Sequence, residues 1–244
     1  MADGAGREEL ARGFREAMVA DLRNDLGTKG LARSVRDSLE EQFIMVSEGL
    51  AEAMYSSGQL EGARKLSEEA LRLKPESGHP RVKIALAVHY AVIGGCEREA
   101  GETAEALASI EHGLGLLEGP FEGIVAERWR RYREGMLKWQ LAGVLGQADE
   151  RARELAVGQE SLSIMRELLS GGENRPSPIQ VHHVVGYLCG DLAQACESAN
   201  EKALFEQMID QAIESWSFLR KSNPTEPEYA AGLVWCESLR GSKL

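Results

Sequence analysis

Apolar residues recur every three to four positions through most of this chain of 244 residues. That spacing places them on one side of an α-helix, which has about 3.6 residues per turn. Within residues 8–26, for example, one stripe contains Leu10, Phe14, Met18 and Leu22. The segments with this spacing alternate with short runs that contain Gly and Pro, which end helices. The pattern therefore predicts an all-α protein without a sheet.

The predicted helices are expected to form antiparallel pairs, because only short turns separate them. A second helix is predicted from near Ser34 or Ser38 to residue 57, and a third follows it and ends before Pro75. Later helices are predicted at residues 81–93, 104–118, 122–145, 149–169, 179–199, 202–221 and 229–239. The pair Gly94-Gly95 is predicted to end the helix at 81–93, since glycine weakens helices. The pairs then end near Pro75, Pro120, Pro176 and Pro224.

Residues 44–75 carry the most specific pattern in the chain. Ala51, Ala63 and Ala70 are small, so two helices can approach closely where they cross. Gly58 permits the turn between the helices, and Pro75 cannot continue the second one. This order and spacing resemble the tetratricopeptide repeat (TPR) family over about one repeat, with degenerate and longer repeats after it. One departure is Ser47, which stands where the family usually has Trp or Leu.

The resemblance implies a TPR-like α-solenoid of antiparallel helix pairs. It also implies a division into an N-terminal segment and helix at residues 1–33 and a repeat domain at residues 34–244. In this family the first helices of the pairs line a concave groove that holds a peptide. Applying the family's groove positions to the matched repeat indicates Met45, Glu48, Glu52, Tyr55 and Ser56. Further candidates on later first helices are Lys83, Arg128, Arg131 and Lys138.

The last three candidates belong to a basic and aromatic segment, residues 127–139. One helical face of that segment contains Trp129, Tyr132, Met136 and Trp139. Guanidinium groups beside aromatic rings can hold a carboxylate or a phosphate. Alternatively, the rings belong to the core, and the basic side chains extend into solvent or pair with acidic residues. The sequence leaves both interpretations open.

Composition narrows the class of partner. The chain has 39 acidic and 28 Lys or Arg residues, for a net charge of −11. Nucleic acids and anionic membranes attract cationic surfaces, so neither is the expected partner. The N-terminus is too polar for a signal peptide, and no apolar run reaches the roughly 18 residues that a membrane span needs. The four cysteines form no C-x-x-C pair, so we interpret them as reduced thiols in the core. Because reduced thiols are typical of the cytoplasm, we predict a cytoplasmic protein.

Candidate metal ligands and catalytic motifs are weak. His182, Cys189 and Cys196 share one helical stripe, but they stand seven residues apart. Seven residues rise about 10 Å along a helix, so one zinc ion cannot bridge all three. The sequence also lacks the motifs of serine hydrolases, P-loops, dinucleotide-binding folds and zinc proteases. We therefore expect no cofactor and no metal.

These observations predict a non-enzymatic, TPR-like scaffold or adaptor that binds a protein or peptide in a concave groove. The basic residues of segment 127–139 would favour an acidic peptide. Two alternatives remain open. One is a self-associating helical adaptor or assembly subunit, and the other is a helical-bundle enzyme that uses the region around His182 and His183.

Overall fold

A computed structural model describes residues 2–73, 75, 78–171 and 176–241, with side chains from residue 9 onward. Over these ranges the chain forms ten α-helices and no strand. The helices are α1 (Ala2–Leu26), α2 (Arg33–Ser56), α3 (Leu60–Arg72), α4 (Pro80–Glu99), α5 (Thr103–Leu116), α6 (Ile124–Gln147), α7 (Arg151–Ser170), α8 (Pro178–Ser198), α9 (Lys202–Ser222) and α10 (Pro227–Gly241). The prediction of an all-α fold is confirmed, because 84% of the described residues are helical.

The chain divides into two compact units, residues 1–122 and 123–244. The first unit contains α1–α5 and the second contains α6–α10. Val19 and Leu22 of α1 belong to the same buried core as α2 and α3. Arg23 also forms a two-pronged ion pair with Glu69 of α3, at 2.8 and 2.5 Å. The N-terminal helix therefore packs on the helix pair that follows it, while the division after residue 33 stays a prediction.

The first unit shows how small residues bring helices together. Ala51, Ala63 and Ala70 are fully buried where α2 and α3 pack against each other. Gly58 lies in the turn between these helices with φ +77°, which strains residues that carry a Cβ. Helix α4 packs against both α2 and α3, and α5 packs on α4. The repeat predicted at residues 44–75 is the α2–α3 pair.

Ser47 stands where the repeat pattern usually has Trp or Leu. Its side chain contacts a buried histidine instead of filling the core with apolar atoms. The Ser47 hydroxyl lies 3.2 Å from Nε2 of His89, which belongs to α4. His89 Nε2 also lies 3.1 Å from the Ile44 carbonyl oxygen, and Nδ1 lies 3.1 Å from the Ser67 hydroxyl. A carbonyl oxygen only accepts, so Nε2 carries the proton and Nδ1 accepts from Ser67. A large apolar side chain at position 47 would displace this network.

The Gly94-Gly95 pair does not end a helix, and that prediction is wrong. Helix α4 continues through both glycines to Glu99. A Cβ on Gly94 would lie 2.7 Å from the side chain of Ile110, and one on Gly95 would lie 2.8 Å from the ring of Tyr55. The two glycines therefore allow α5 and α2 to pack closely on α4, which offsets their weak helix propensity.

The second unit is built around α8, which contacts α6, α7, α9 and α10. Its core contains the fully buried Leu188, Cys189, Phe205 and Trp216. A Cβ on Gly186 of α8 would lie 2.7 Å from the Trp216 ring, so this glycine makes room for the indole. All four cysteines lie in the described residues, are buried and form no disulfide, as expected for core thiols.

None of the helices in the described ranges has the length and apolar content needed to cross a membrane.

Candidate functional site

Two of the groove candidates on α2 take part in packing. Met45 and Tyr55 are half-buried and lie against the core of the first unit. The Tyr55 ring covers Gly95, and its hydroxyl accepts a hydrogen bond from Nη2 of Arg98 at 3.3 Å. Burial raises the pKa of Tyr55, so this phenol is protonated at neutral pH. These contacts join α2 to α4.

The remaining candidates of the first unit present polar groups. Glu48 and Glu52 are half-buried on α2, and the charge of Glu52 acts on His89. Ser56 ends α2 and is exposed, as is Lys83 on α4. Their role in a groove stays a prediction.

The three basic candidates on α6 all contact α7. Each of Arg128, Arg131 and Lys138 donates a hydrogen bond to that neighbouring helix. The acceptors are, in order, the Leu168 carbonyl oxygen at 2.9 Å, the Glu167 carboxylate at 2.6 Å and the Glu160 carboxylate at 2.5 Å. The structure therefore places these cations as braces between α6 and α7, and their role in a peptide groove stays a prediction.

The second unit contains a cavity of about 470 Å³ formed by the last turns of α6, the start of α7 and the second half of α8. Much of its wall consists of small residues, which leave the space unfilled. They are Ala142, Gly143, Gly146, Ala195 and Ser198. Gln147 and Gln194 add exposed amide groups to the rim.

A row of three aromatic rings begins at this cavity; we call it the aromatic row. It consists of Trp139 on α6, Tyr187 on α8 and Trp235 on α10. The Trp139 and Tyr187 rings stack nearly parallel with centroids 6.2 Å apart, and the Tyr187 and Trp235 centroids are 6.3 Å apart. A Cβ on Gly190 would clash with the Trp235 ring, so this glycine lets α10 lay its indole on α8.

Two carboxylates hold these rings in place. Nε1 of Trp139 donates to Asp191 at 2.8 Å. The Tyr187 hydroxyl donates to Glu228 at 2.8 Å, and Nε2 of His183 lies 3.1 Å from the same carboxylate oxygen. Burial and the hydrogen bond to Glu228 hold the pKa of Tyr187 above its usual range. The phenol therefore remains a donor, and both carboxylates stay at the edges of the rings.

An ion pair lines the cavity at the start of α7. Nη1 of Arg151 donates to Glu154 at 2.8 Å, and Nε of Arg151 lies 3.5 Å from Asp149. Glu154 is buried against Gly146, where a Cβ would lie 2.6 Å from its carboxylate. The cavity thus has a charged end at α7 and an aromatic end at Trp139.

Trp139 was noted from the sequence pattern, whereas Tyr187, Asp191 and Trp235 were not predicted. One signal could have revealed them. Trp139, Tyr187 and Trp235 stand 48 positions apart in the sequence, so each successive first helix of the second unit contributes one ring. A second signal is the accessible stripe on the otherwise buried helix α8, which contains Gln180, His183, Tyr187, Asp191, Gln194 and Ser198.

The helical stripe considered as a metal site contains His182, Cys189 and Cys196. Its His182 and Cys189 side chains contact different residues. His182 stacks on Phe218 with centroids 4.1 Å apart, and its Nδ1 lies 3.3 Å from the Ser215 hydroxyl. Cys189 donates to Gln211 at 3.8 Å, deep in the core of the second unit. Burial raises the pKa of Cys189 to about 12. A buried, protonated thiol is inert as a nucleophile.

Comparisons with known proteins bear on the fold. No protein-family model and no curated protein matches the sequence. Among solved structures, the chain is similar to BtubC (BKLC) from P. vanneervenii, with 17% identity and a TM-score of 0.54 over 96% of this chain and 91% of that one. A putative kinesin light chain with nearly identical TPR-like repeats from Podosopora anserina gives 14% identity and a TM-score of 0.46, over 81% of this chain and 94% of that one. At such low identity the likeness to BtubC concerns the fold alone.

Proposed function

We propose that this protein is a cytoplasmic, non-enzymatic scaffold that binds an extended peptide segment of a partner protein in the cavity between α6 and α8. The observation that carries this proposal is the cavity itself. Its volume of about 470 Å³ falls within the range of roughly 300–1,000 Å³ that is typical of ligand sites. It lies on the first helices of two successive pairs, the position at which the repeat resemblance implies a groove.

The lining of the cavity suits a peptide. The side-chain amides of Gln147 and Gln194 and the hydroxyl of Ser198 are exposed at its edge. Such groups can donate to and accept from the backbone of an extended chain, while the small residues below them accommodate its side chains. The neighbouring rings of Trp139 and Tyr187 supply an amphipathic surface, and aromatic residues of this kind are enriched at protein interfaces.

A second contact surface on the first unit is part of the same proposal. It would use the positions predicted from the repeat, Glu48, Glu52 and Ser56 on α2 and Lys83 on α4. Met45 and Tyr55 would support that surface through their packing.

The proposal is tested by selecting peptides from a displayed random library against the full chain. Selected peptides are then measured for affinity against wild type and against Gln194→Trp. Gln194 is exposed and lines the cavity, so a tryptophan there fills the space at little cost to the fold. We expect Gln194→Trp to weaken binding by about tenfold or more, since the peptide loses its contacts with the cavity.

Gln207→Trp is the matched control, because Gln207 is exposed on α9 and lies outside the cavity lining. It should bind the peptides as wild type does. Peptides that bind Gln194→Trp and wild type equally would contradict the proposal, and a scaffold that uses another surface or self-associates would then be favoured. The absence of any enriched peptide would contradict it as well.

A further inference from the structure

We propose that the segment bound in this cavity is anchored by a basic residue, arginine or lysine, whose side chain lies on the Trp139 and Tyr187 rings with its charge beside Asp191. This inference rests on the proposed function and names the chemistry of the partner. It is carried by the charges around the aromatic row and by the positions of the rings relative to them.

The formal charges around the cavity and the aromatic row are predominantly negative. Asp191, Glu154 and Glu228 bring three carboxylates, and Arg151 brings one cation. Arg151 is held between Glu154 and Asp149 at the α7 end. The aromatic end of the cavity therefore has negative charge, and a basic side chain placed there complements it.

Neutral donors help to orient both carboxylates. Glu228 accepts from the phenol of Tyr187 and lies beside His183, and Asp191 accepts from the indole of Trp139. Indole and phenol are neutral donors, so these two hydrogen bonds orient the carboxylates and bring no positive charge to them. Each carboxylate is thus fixed at the edge of a ring.

Rings and carboxylates together favour a guanidinium or an ammonium group over a neutral side chain. A cation over a Trp or Tyr face is attracted by the ring quadrupole, and its apolar stem covers the ring. Arginine also forms paired hydrogen bonds with a carboxylate in the plane of its guanidinium. Trp139 with Asp191 offers both contacts to one side chain.

Glu228 indicates a second basic residue in the same segment. It contacts His183 and Tyr187, which stand one helical turn apart on α8, and Asp191 stands one turn beyond Tyr187. The two carboxylates therefore flank Tyr187 at a separation of about one to two turns, roughly 5–10 Å. Alternate side chains of an extended peptide on one face are about 7 Å apart. Two basic residues separated by one other residue match this spacing.

The basic candidates on α6 do not make the charge at this site positive. Arg131 and Lys138 each form ion pairs with acidic residues of α7, and Arg128 donates to the end of that helix. An acidic segment, which these three cations would attract, is therefore the alternative that the test must distinguish from a basic one.

The test is a titration of the full chain with short fluorescent peptides, followed by fluorescence anisotropy. The first peptide has two arginines separated by one residue in a Gly/Ser/Ala background; matched peptides carry Gln or Glu at the same two positions. We expect the Arg peptide to bind wild type about fivefold or more tightly than the Gln peptide, and the Glu peptide to bind most weakly.

Asp191→Asn removes the charge but keeps an oxygen that accepts from Trp139, so the ring stays in place. It should weaken binding of the Arg peptide by about fivefold, and Glu228→Gln should have a similar effect. Glu206→Gln is the matched control, because Glu206 is an exposed carboxylate on α9 outside the cavity lining. It should change the affinity by less than about twofold. Circular dichroism of each variant shows that the fold is kept.

The outcomes separate this inference from the function on which it rests. Equal binding of the Arg and Gln peptides, abolished in both cases by Gln194→Trp, would overturn the basic anchor and leave the peptide-binding function standing. Tighter binding of the Glu peptide would overturn it in favour of an acidic partner. If no designed peptide binds and library-selected peptides ignore Gln194→Trp, both the inference and the proposed function are wrong.

Discussion

Three polar side chains, those of Ser47, Ser67 and His89, are fully buried in the first unit. Unpaired polar groups in a core are costly, commonly about 1–3 kcal/mol each. Here each hydroxyl lies within 3.2 Å of an imidazole nitrogen, and the imidazole also contacts the Ile44 carbonyl oxygen. The network needs a neutral imidazole, because Nδ1 must accept from Ser67.

His89 should make stability depend on pH. Burial lowers its pKa from 6.5 to about 4. Between these two values the unfolded chain binds a proton that the folded chain does not, so the folded state loses stability as the pH falls from about 6.5 to about 4. The loss should reach a few kcal/mol, since each pKa unit corresponds to about 1.4 kcal/mol. Urea unfolding midpoints measured across this range check the prediction.

The variant His89→Gln isolates this contribution because glutamine does not titrate. Its unfolding midpoint should fall less steeply with pH than that of wild type, although it starts lower. His112→Gln is the control, since His112 is exposed on α5. If His89→Gln and wild type lose stability in parallel between pH values of about 6.5 and 4, the buried imidazole does not carry the effect.

At the scale of the element, close helix packing depends on positions where a Cβ or a larger side chain does not fit. Ala51, Ala63 and Ala70 were predictable as such positions, because a known repeat spacing marks them. Gly94 and Gly95 were misinterpreted, since local propensity describes glycine as a helix breaker and says nothing of Tyr55 or Ile110. Tertiary packing decides their role, and the residues that impose it are distant in sequence.

Enlarging the small residues at the α2–α3 crossing should destabilise the first unit. Ala63→Leu or Ala70→Leu forces extra carbon atoms between fully packed helices, at a cost of about 1–3 kcal/mol. Ala108→Leu is the control, because Ala108 is exposed on α5. Thermal melting followed by circular dichroism measures all three. A control-like melting temperature for both buried variants would mean that the helix pair is packed differently.

Reversing the charge of a side chain that joins α6 to α7 should lower the stability of the second unit. Arg131 donates to Glu134 at 3.0 Å and to Glu167 at 2.6 Å. Arg131→Glu places a third carboxylate between these two and should lower stability by roughly 1 kcal/mol. Adding Glu167→Arg restores an opposite charge and should recover part of the loss. No recovery in the double variant, with both proteins folded, would show that Arg131 acts through packing alone.

The aromatic row is a property of the assembled second unit. Its three rings come from α6, α8 and α10, which are separated in sequence by whole helix pairs. Periodicity in a single helix predicts which residues share a face, as it did for Trp139 and Met136. It does not predict which residues of other helices complete a surface, because this depends on how successive pairs stack. The cavity has the same origin, since the small residues of α6 and α8 form a space only once the helices pack.

The net charge of −11 acts on a basic peptide before any contact is made. Long-range attraction accelerates association and is screened by salt, whose screening length falls from about 30 Å at 0.01 M to about 3 Å at 1 M. Contacts within the docked complex act mainly on dissociation. For the Arg peptide, stopped-flow measurements should therefore show an association rate that falls about tenfold between roughly 0.02 and 0.5 M salt, with a smaller change in the dissociation rate.

Asp191→Asn should raise the dissociation rate, whereas Glu206→Gln should not. An association rate that is insensitive to salt would mean that the global charge has no part in capturing the peptide. An unchanged dissociation rate in Asp191→Asn would mean that the peptide is not held by that carboxylate.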